Sequence, residues 1–165
     1  MRAAAMNAKD VMKALERLGT AQTKKTWMRH GCPEPLFGVK IGDMKPLMKK
    51  TGRDTELAKA LFRTGNADAM YFAGLIAVGR ELSRADLEDW ARRANWSMIS
   101  EYSVPWNAAE HPDAWSLGCG WIDAREEKVV ATGWCTLSGV LAMREDLDLK
   151  AVEKLLQRAV KTMVA

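Results

Sequence analysis

Histidine and cysteine are scarce in this 165-residue sequence, which has two of the first and three of the second. His30 and His111 have no cysteine or carboxylate at ligand spacing, so no resident metal is expected. Cys32, Cys119 and Cys135 are odd in number, widely spaced and outside any CxxC pair. That excludes a disulfide framework and reads as reduced thiols used for packing. Cys32, beside Pro33, has no local histidine to make it a nucleophile. There is no Walker loop and no GxGxxG, so the expected cofactor list is empty. No apolar run approaches the length of a membrane span, and "MRAAAMNAKDVMKALERLG" spaces its charges too closely for a signal peptide. The expectation is a cytoplasmic protein with no membrane partner. Hairpin chemistry is missing too, which argues against a sheet.

What is present is a globular composition, 48% apolar and 28% charged. A chain of this length buries roughly 70% of its unfolded surface and needs no staple, so a single domain over residues 1–165 is expected. The net charge of +4 is unevenly placed. Residues 1–65 hold 14 Lys/Arg against 6 Asp/Glu, and residues 66–165 hold 11 against 15. A basic half suits a polyanion-binding surface. It suits equally a set of solvated helix faces. The residues that could line phosphates are Lys24, Lys25, Arg29, Lys40, Lys45, Lys49 and Lys50, with Arg53 beside them.

Glycines at 19, 31, 52, 65 and 79 each close a segment of helical pattern, and a left-handed residue after a helix favours glycine. Polar starters stand at Asn7, Thr20, Asp54, Asn66, Ser83 and Asp148. Ser83 with Asp86 makes an imperfect capping box. Apolar stripes at helical spacing run through Met12, Leu15 and Leu18; through Met44, Leu47, Met48 and Thr51; and through Val152, Leu155, Leu156 and Ala159. "AMYFAGLIAV", Ala69 to Val78, is apolar nearly all round and should be buried. Pro46 is tolerated if Gly42 or Asp43 opens its helix. "KVVATGWCTLSGVLA", Lys128 to Ala142, mixes strand and helix propensities, and its length favours a buried helix. The expected architecture is all-α, with antiparallel helix pairs stacked in a short solenoid.

Five of seven tryptophans fall between positions 96 and 134. Trp96, Ile99, Ser103 and Trp106 follow helical spacing, provided Pro105 does not end the helix. Such a stripe reads first as core. Ser97, Ser100 and Ser103 are small polar neighbours that a dry core would not need.

From "LFGVKIGDMKPLMKK", Leu36 to Lys50, through "ELAKALFRTGNADAMYFAGLIA", Glu56 to Ala77, and "LEDWARRANWSMIS", Leu87 to Ser100, the chain resembles the DNA alkylation repair proteins (AlkD-like, the HEAT-like repeat DNA glycosylases). The resemblance covers roughly Thr20 to Ala142 and rests on the order of several weak motifs. It implies a HEAT-like stack curved around a basic groove for duplex DNA, alkylated duplex included. It also implies excision of cationic N-alkylated purines, 3-methyladenine and 7-methylguanine, without metal or cofactor. Tryptophan faces attract such cations, and a carboxylate stabilises the positive charge that develops on the sugar.

The chain departs from that pattern where the chemistry is done. The family places an aspartate four residues after the site tryptophan, and here Trp96 is followed at that distance by Ser100. Glu101 is adjacent but about 100° further round an α-helix, so it is expected to point elsewhere unless the backbone is rearranged. Where the resemblance puts a tryptophan and two arginines, the chain has Val129, Ala131 and Thr132. The family generally continues with further helices, one carrying another site tryptophan, whereas this sequence stops at Ala165, as a natural short form or as a piece of a longer chain. The site positions by resemblance are thus Trp96, Ser100 and Thr132, with acid and arginine missing. The sequence supports duplex DNA binding and weakens base excision. It leaves open a non-catalytic helical-repeat scaffold with a protein partner.

Overall fold

In the computed structural model, which describes residues 6–164, every regular element among the described residues is helical. The first five helices are α1 (Ala8–Leu18), α2 (Ala21–Arg29), α3 (Ile41–Thr51), α4 (Thr55–Arg63) and α5 (Ala67–Ile76). After a 3₁₀ turn come α6 (Arg84–Arg93), a π turn (Ile99–Ser103), α7 (Val104–Ala109), α8 (Ala114–Trp121), α9 (Glu127–Met143) and α10 (Leu149–Val164). The segment of mixed propensity is α9, a helix throughout.

The starts are set by side chains. Asn7, Thr20, Asp54, Asn66 and Ser83 each accept a hydrogen bond from the third backbone N–H of the helix they open. Ser83 and Asp86 form a full reciprocal capping box, as do Asn7 and Asp10. Asp148 caps α10 through the amide of Lys150.

Short connections send each helix back along its predecessor. Three residues separate α4 from α5 and these pack closely; α8 and α9 form a second close pair, and α9 also packs along α7. Helix α5 lies at the centre, with Ala67 through Gly74 and Ile76 buried. Its apolar circumference therefore faces neighbours on every side: α3, α4, the π turn and α7. Phe62 of α4 stacks on Trp90 of α6 with centroids 4.2 Å apart.

Three details differ from the sequence expectation, and one condition in it is met. Helix α3 begins at Ile41, so Pro46 sits in its second turn, where the missing N–H leaves the exposed Gly42 carbonyl to solvent. Gly19 and Gly79 are not left-handed; a Cβ on either would strike backbone, of Phe37 and Asn107 respectively, so each marks a close approach of chains. Leu156 of the last stripe is exposed while Leu155 is buried. Pro105 does not end the tryptophan stripe, because it stands in the first turn of α7.

Candidate nucleic-acid interface

The turn Phe37–Gly38–Val39 is held from below by one buried carboxylate. Asp68, near the start of α5, accepts hydrogen bonds from the amides of Phe37 (2.6 Å), Gly38 (3.0 Å) and Val39 (2.9 Å). Gly38 is left-handed there, and its missing side chain lets the turn lie against the backbone of Lys24. The fixed Val39 carbonyl accepts from Trp27 Nε1 at 3.0 Å. Trp27 meets Trp96 at 5.5 Å between ring centroids, and Trp96 Nε1 donates to the His30 carbonyl at 3.2 Å. A run of contacts thus leads from the centre of the molecule to the position of Trp96.

Trp96 is 9% exposed and lines a cleft of about 340 Å³. Its walls include His30, Asn95, Ser100 and Glu101, with Glu127, Lys128 and Ala131 from the start of α9 opposite. Ser100 is buried on that wall and its hydroxyl turns back to the Ser97 carbonyl at 3.4 Å. Glu101 was expected to point away, yet it lines the same cleft. The cause is the π turn: the Val104 amide donates to the Ile99 carbonyl, five residues back, so the chain rotates less per residue and both Ser100 and Glu101 come onto the wall.

Thr132 does not reach the cleft. It is fully buried on the inner face of α9, with its hydroxyl donating to the Lys128 carbonyl at 2.8 Å. Lys128 and Ala131 take the cleft-facing positions, and Val129 is in the core. The pattern that could have shown this is the spacing along α9: Lys128, Ala131, Cys135 and Ser138 step by three and four along one face.

That face continues into a second cleft of about 530 Å³ between α9 and the π turn with α7. Glu101 belongs to both clefts. Trp106 and Tyr102 stand in the second with their rings edge to face, 5.8 Å between centroids. The tryptophan stripe therefore divides: Trp96 and Trp121 are buried, whereas Trp106 is 45% exposed. A third hollow follows, sharing Glu110 and Met143 with the second and adding Arg53 and Arg80.

Lys24, Lys25, Arg29, Lys40, Lys45, Lys49 and Lys50 line none of these clefts. Lys24 is paired with Glu34 at 2.5 Å; the other six are exposed and, among the described residues, without an ion pair. They stand on α2, on α3 and, for Lys40, at the residue that opens α3. The thiols are poor nucleophiles. Burial, with Asp68 nearby, pushes Cys32 up to about 12, and burial with Glu101 raises Cys135. Among the described residues no group of three or more His, Cys, Asp or Glu side chains could hold a metal ion, and no helix is long and apolar enough to cross a membrane.

Comparison with known proteins agrees with this architecture. The model of the DNA alkylation repair enzyme family matches residues 11–111. Uncharacterised proteins of Listeria innocua and Listeria monocytogenes are 31% and 30% identical over 156 residues, 90% of this chain. The chain spans 66% of the length of each. A solved structure from a family related to the HEAT-like repeat DNA glycosylases, with affinity for branched DNA structures, is 37% identical. It superposes with a TM-score of 0.87 over 95% of this chain and 68% of its own. With the helical stack, the Asp68-held turn and the Trp96 cleft in place, the chain belongs to the DNA alkylation repair enzyme family and has its HEAT-like all-α fold.

Proposed function

We propose that this protein binds DNA where the duplex departs from its regular form, at branches and unpaired positions, and that binding rather than base excision is its activity. The observation that carries this is Ser100. At the position where the family's chemistry needs a carboxylate there is a buried hydroxyl turned back on its own helix. A neutral hydroxyl cannot stabilise a glycosyl cation as a carboxylate does. The related solved protein with affinity for branched DNA supports the choice of target, and the six exposed cations of α2 and α3 supply a surface for phosphates.

Fluorescence anisotropy of a labelled four-way junction and a matched duplex, at low and physiological salt, tests it. The expected result is tighter binding to the junction, with both affinities falling steeply as salt rises. Indifference to all DNA at low salt would overturn the proposal in favour of a protein-binding scaffold.

The π turn supports a second activity. Glu101 shares a cleft with Trp96, so a cationic alkylpurine held on the indole could have a carboxylate beside it. Release of methylated purine from alkylated duplex by the wild type, lost in Glu101→Gln, would establish excision. No release by the wild type excludes it.

A further inference from the structure

The second cleft is not part of the Trp96 site, and nothing described so far gives it an occupant. We infer that it is a receptor for one unpaired, amino-bearing nucleobase, stacked on Trp106, with its flanking phosphate on Arg53 and Arg80. The inference rests on the DNA-binding reading above and adds the place where irregularity is sensed.

Trp106, Tyr102 and Met143 are 45%, 43% and 60% exposed around one hollow. Three large, largely apolar side chains gathered around one hollow, with carboxylates at its edge, are a patch of the kind that marks a binding site. The edge-to-face Tyr102–Trp106 pair makes a corner: a planar group can lie on one ring with its rim against the other. Trp106 also meets the buried Tyr71, 6.2 Å away and again edge-on, so one side of its ring is packed while the other stays open. The floor, Ala109, Ser138 and Gly139, is small enough to let a ring enter.

Charge decides which part of a nucleotide enters. Glu101 and Glu110 line the hollow, and two carboxylates repel phosphate. They accept hydrogen bonds from the exocyclic amines that adenine, cytosine and guanine carry. The backbone must therefore stay outside, and cations wait there. Arg53 and Arg80 line the adjoining hollow. Arg53 is held in place: its Nε and Nη2 both donate to the Ala77 carbonyl and its Nη2 lies 3.5 Å from Glu110 Oε2, which leaves Nη1 for a phosphate. A regular duplex keeps its bases paired and cannot fill the cleft, whereas a bulge or branch point can.

The test uses a duplex with a single unpaired 2-aminopurine, an amino-bearing fluorescent base, and the same duplex with that base paired. Affinity for each is measured by anisotropy of a separate end label, and the 2-aminopurine emission reports stacking. Wild-type protein should bind the bulged duplex more tightly and quench its 2-aminopurine. Base–aromatic stacking accounts for at least about fivefold in affinity, so Trp106→Ala should lose about that much of the preference while binding to paired duplex holds. Trp106→Phe, which keeps a ring against Tyr71, should retain part of both signals and guards against misfolding of the alanine variant. Arg80→Gln should weaken bulge binding and lower its salt dependence. Unchanged preference and quenching in Trp106→Ala overturn this inference and leave DNA binding standing. No binding of the wild type to either duplex overturns both.

Discussion

Replacing Asp68 should unfasten the turn that positions Trp96 and lower stability more than most substitutions. Its carboxylate is 4% exposed and accepts three amides, of which Gly38 and Val39 are buried and Phe37 partly so. In Asp68→Ala these donors lose their acceptor with no neighbour to replace it. Each buried donor left unpaired costs about 1–3 kcal/mol, so the total is roughly 4 kcal/mol. Native domains are stable by only about 5–15 kcal/mol, so this is a large fraction. A chain of this size loses about 2–4 °C of Tm per kcal/mol, which makes the expected fall on the order of 10 °C. Asp68→Asn should cost less, because its one carbonyl can still serve the Phe37 and Gly38 amides while its NH₂ opposes Val39. Urea unfolding followed by circular dichroism measures the difference. The reasoning also predicts a remote effect: with Val39 released, the Trp27–Trp96 pair loosens, and indole emission should shift to the red before the main transition. A loss under about 1 kcal/mol in Asp68→Ala would refute the account of the turn.

Helix α5 and the π turn touch through Gly74, where a Cβ would lie 2.5 Å from Ser103 Cβ. Gly74→Ala should therefore destabilise by about 1–3 kcal/mol or more, and Ser103→Gly in that background should recover part of it, read by denaturant melts. Burial is the largest influence on Asp86 and would raise it, but the Ser83 hydroxyl and amide and the Lys59 ammonium together hold it below its ordinary 3.8. Its folded value is depressed, so the stability it confers is full above pH 3.8 and drains away as pH falls through the lower folded value. The gap in stability between wild type and Asp86→Asn should accordingly be constant near neutrality and close in acid. Circular dichroism melts across that range will show whether it does.

The helices and their starts were legible because local chemistry sets them. Asn7, Thr20, Asp54, Asn66 and Ser83 are polar residues with a short-range task, and a sequence shows them directly. Trp96 was singled out for another reason, its place in an ordered set of family motifs, and it lines a cleft. Glu101 was not legible, since its direction depends on a π turn, and that turn packs against Gly74, far away in the chain. Of the two positions where the resemblance puts arginines, Ala131 lines the cleft and Thr132 lies in the core, a difference of one residue that only the helix's rotation decides. The lysines of α2 and α3 showed their charge but not their face, because a charged residue is compatible with any exposed surface. Arg80 stands in a 3₁₀ turn without periodicity, and only the fold brings it beside Arg53.

A π turn is an α-helix with one residue too many. The extra residue between Ile99 and Ser103 therefore behaves like a shim: it sets the angular offset between everything before it and everything after. Deleting a single residue there would let an ordinary helix form and swing Trp106 about 100° relative to Trp96. One aromatic would then leave the groove as the other stayed. The two clefts are consequently tied in geometry: the turn that brings Glu101 onto the Trp96 wall also sets the direction of Trp106 in the second cleft.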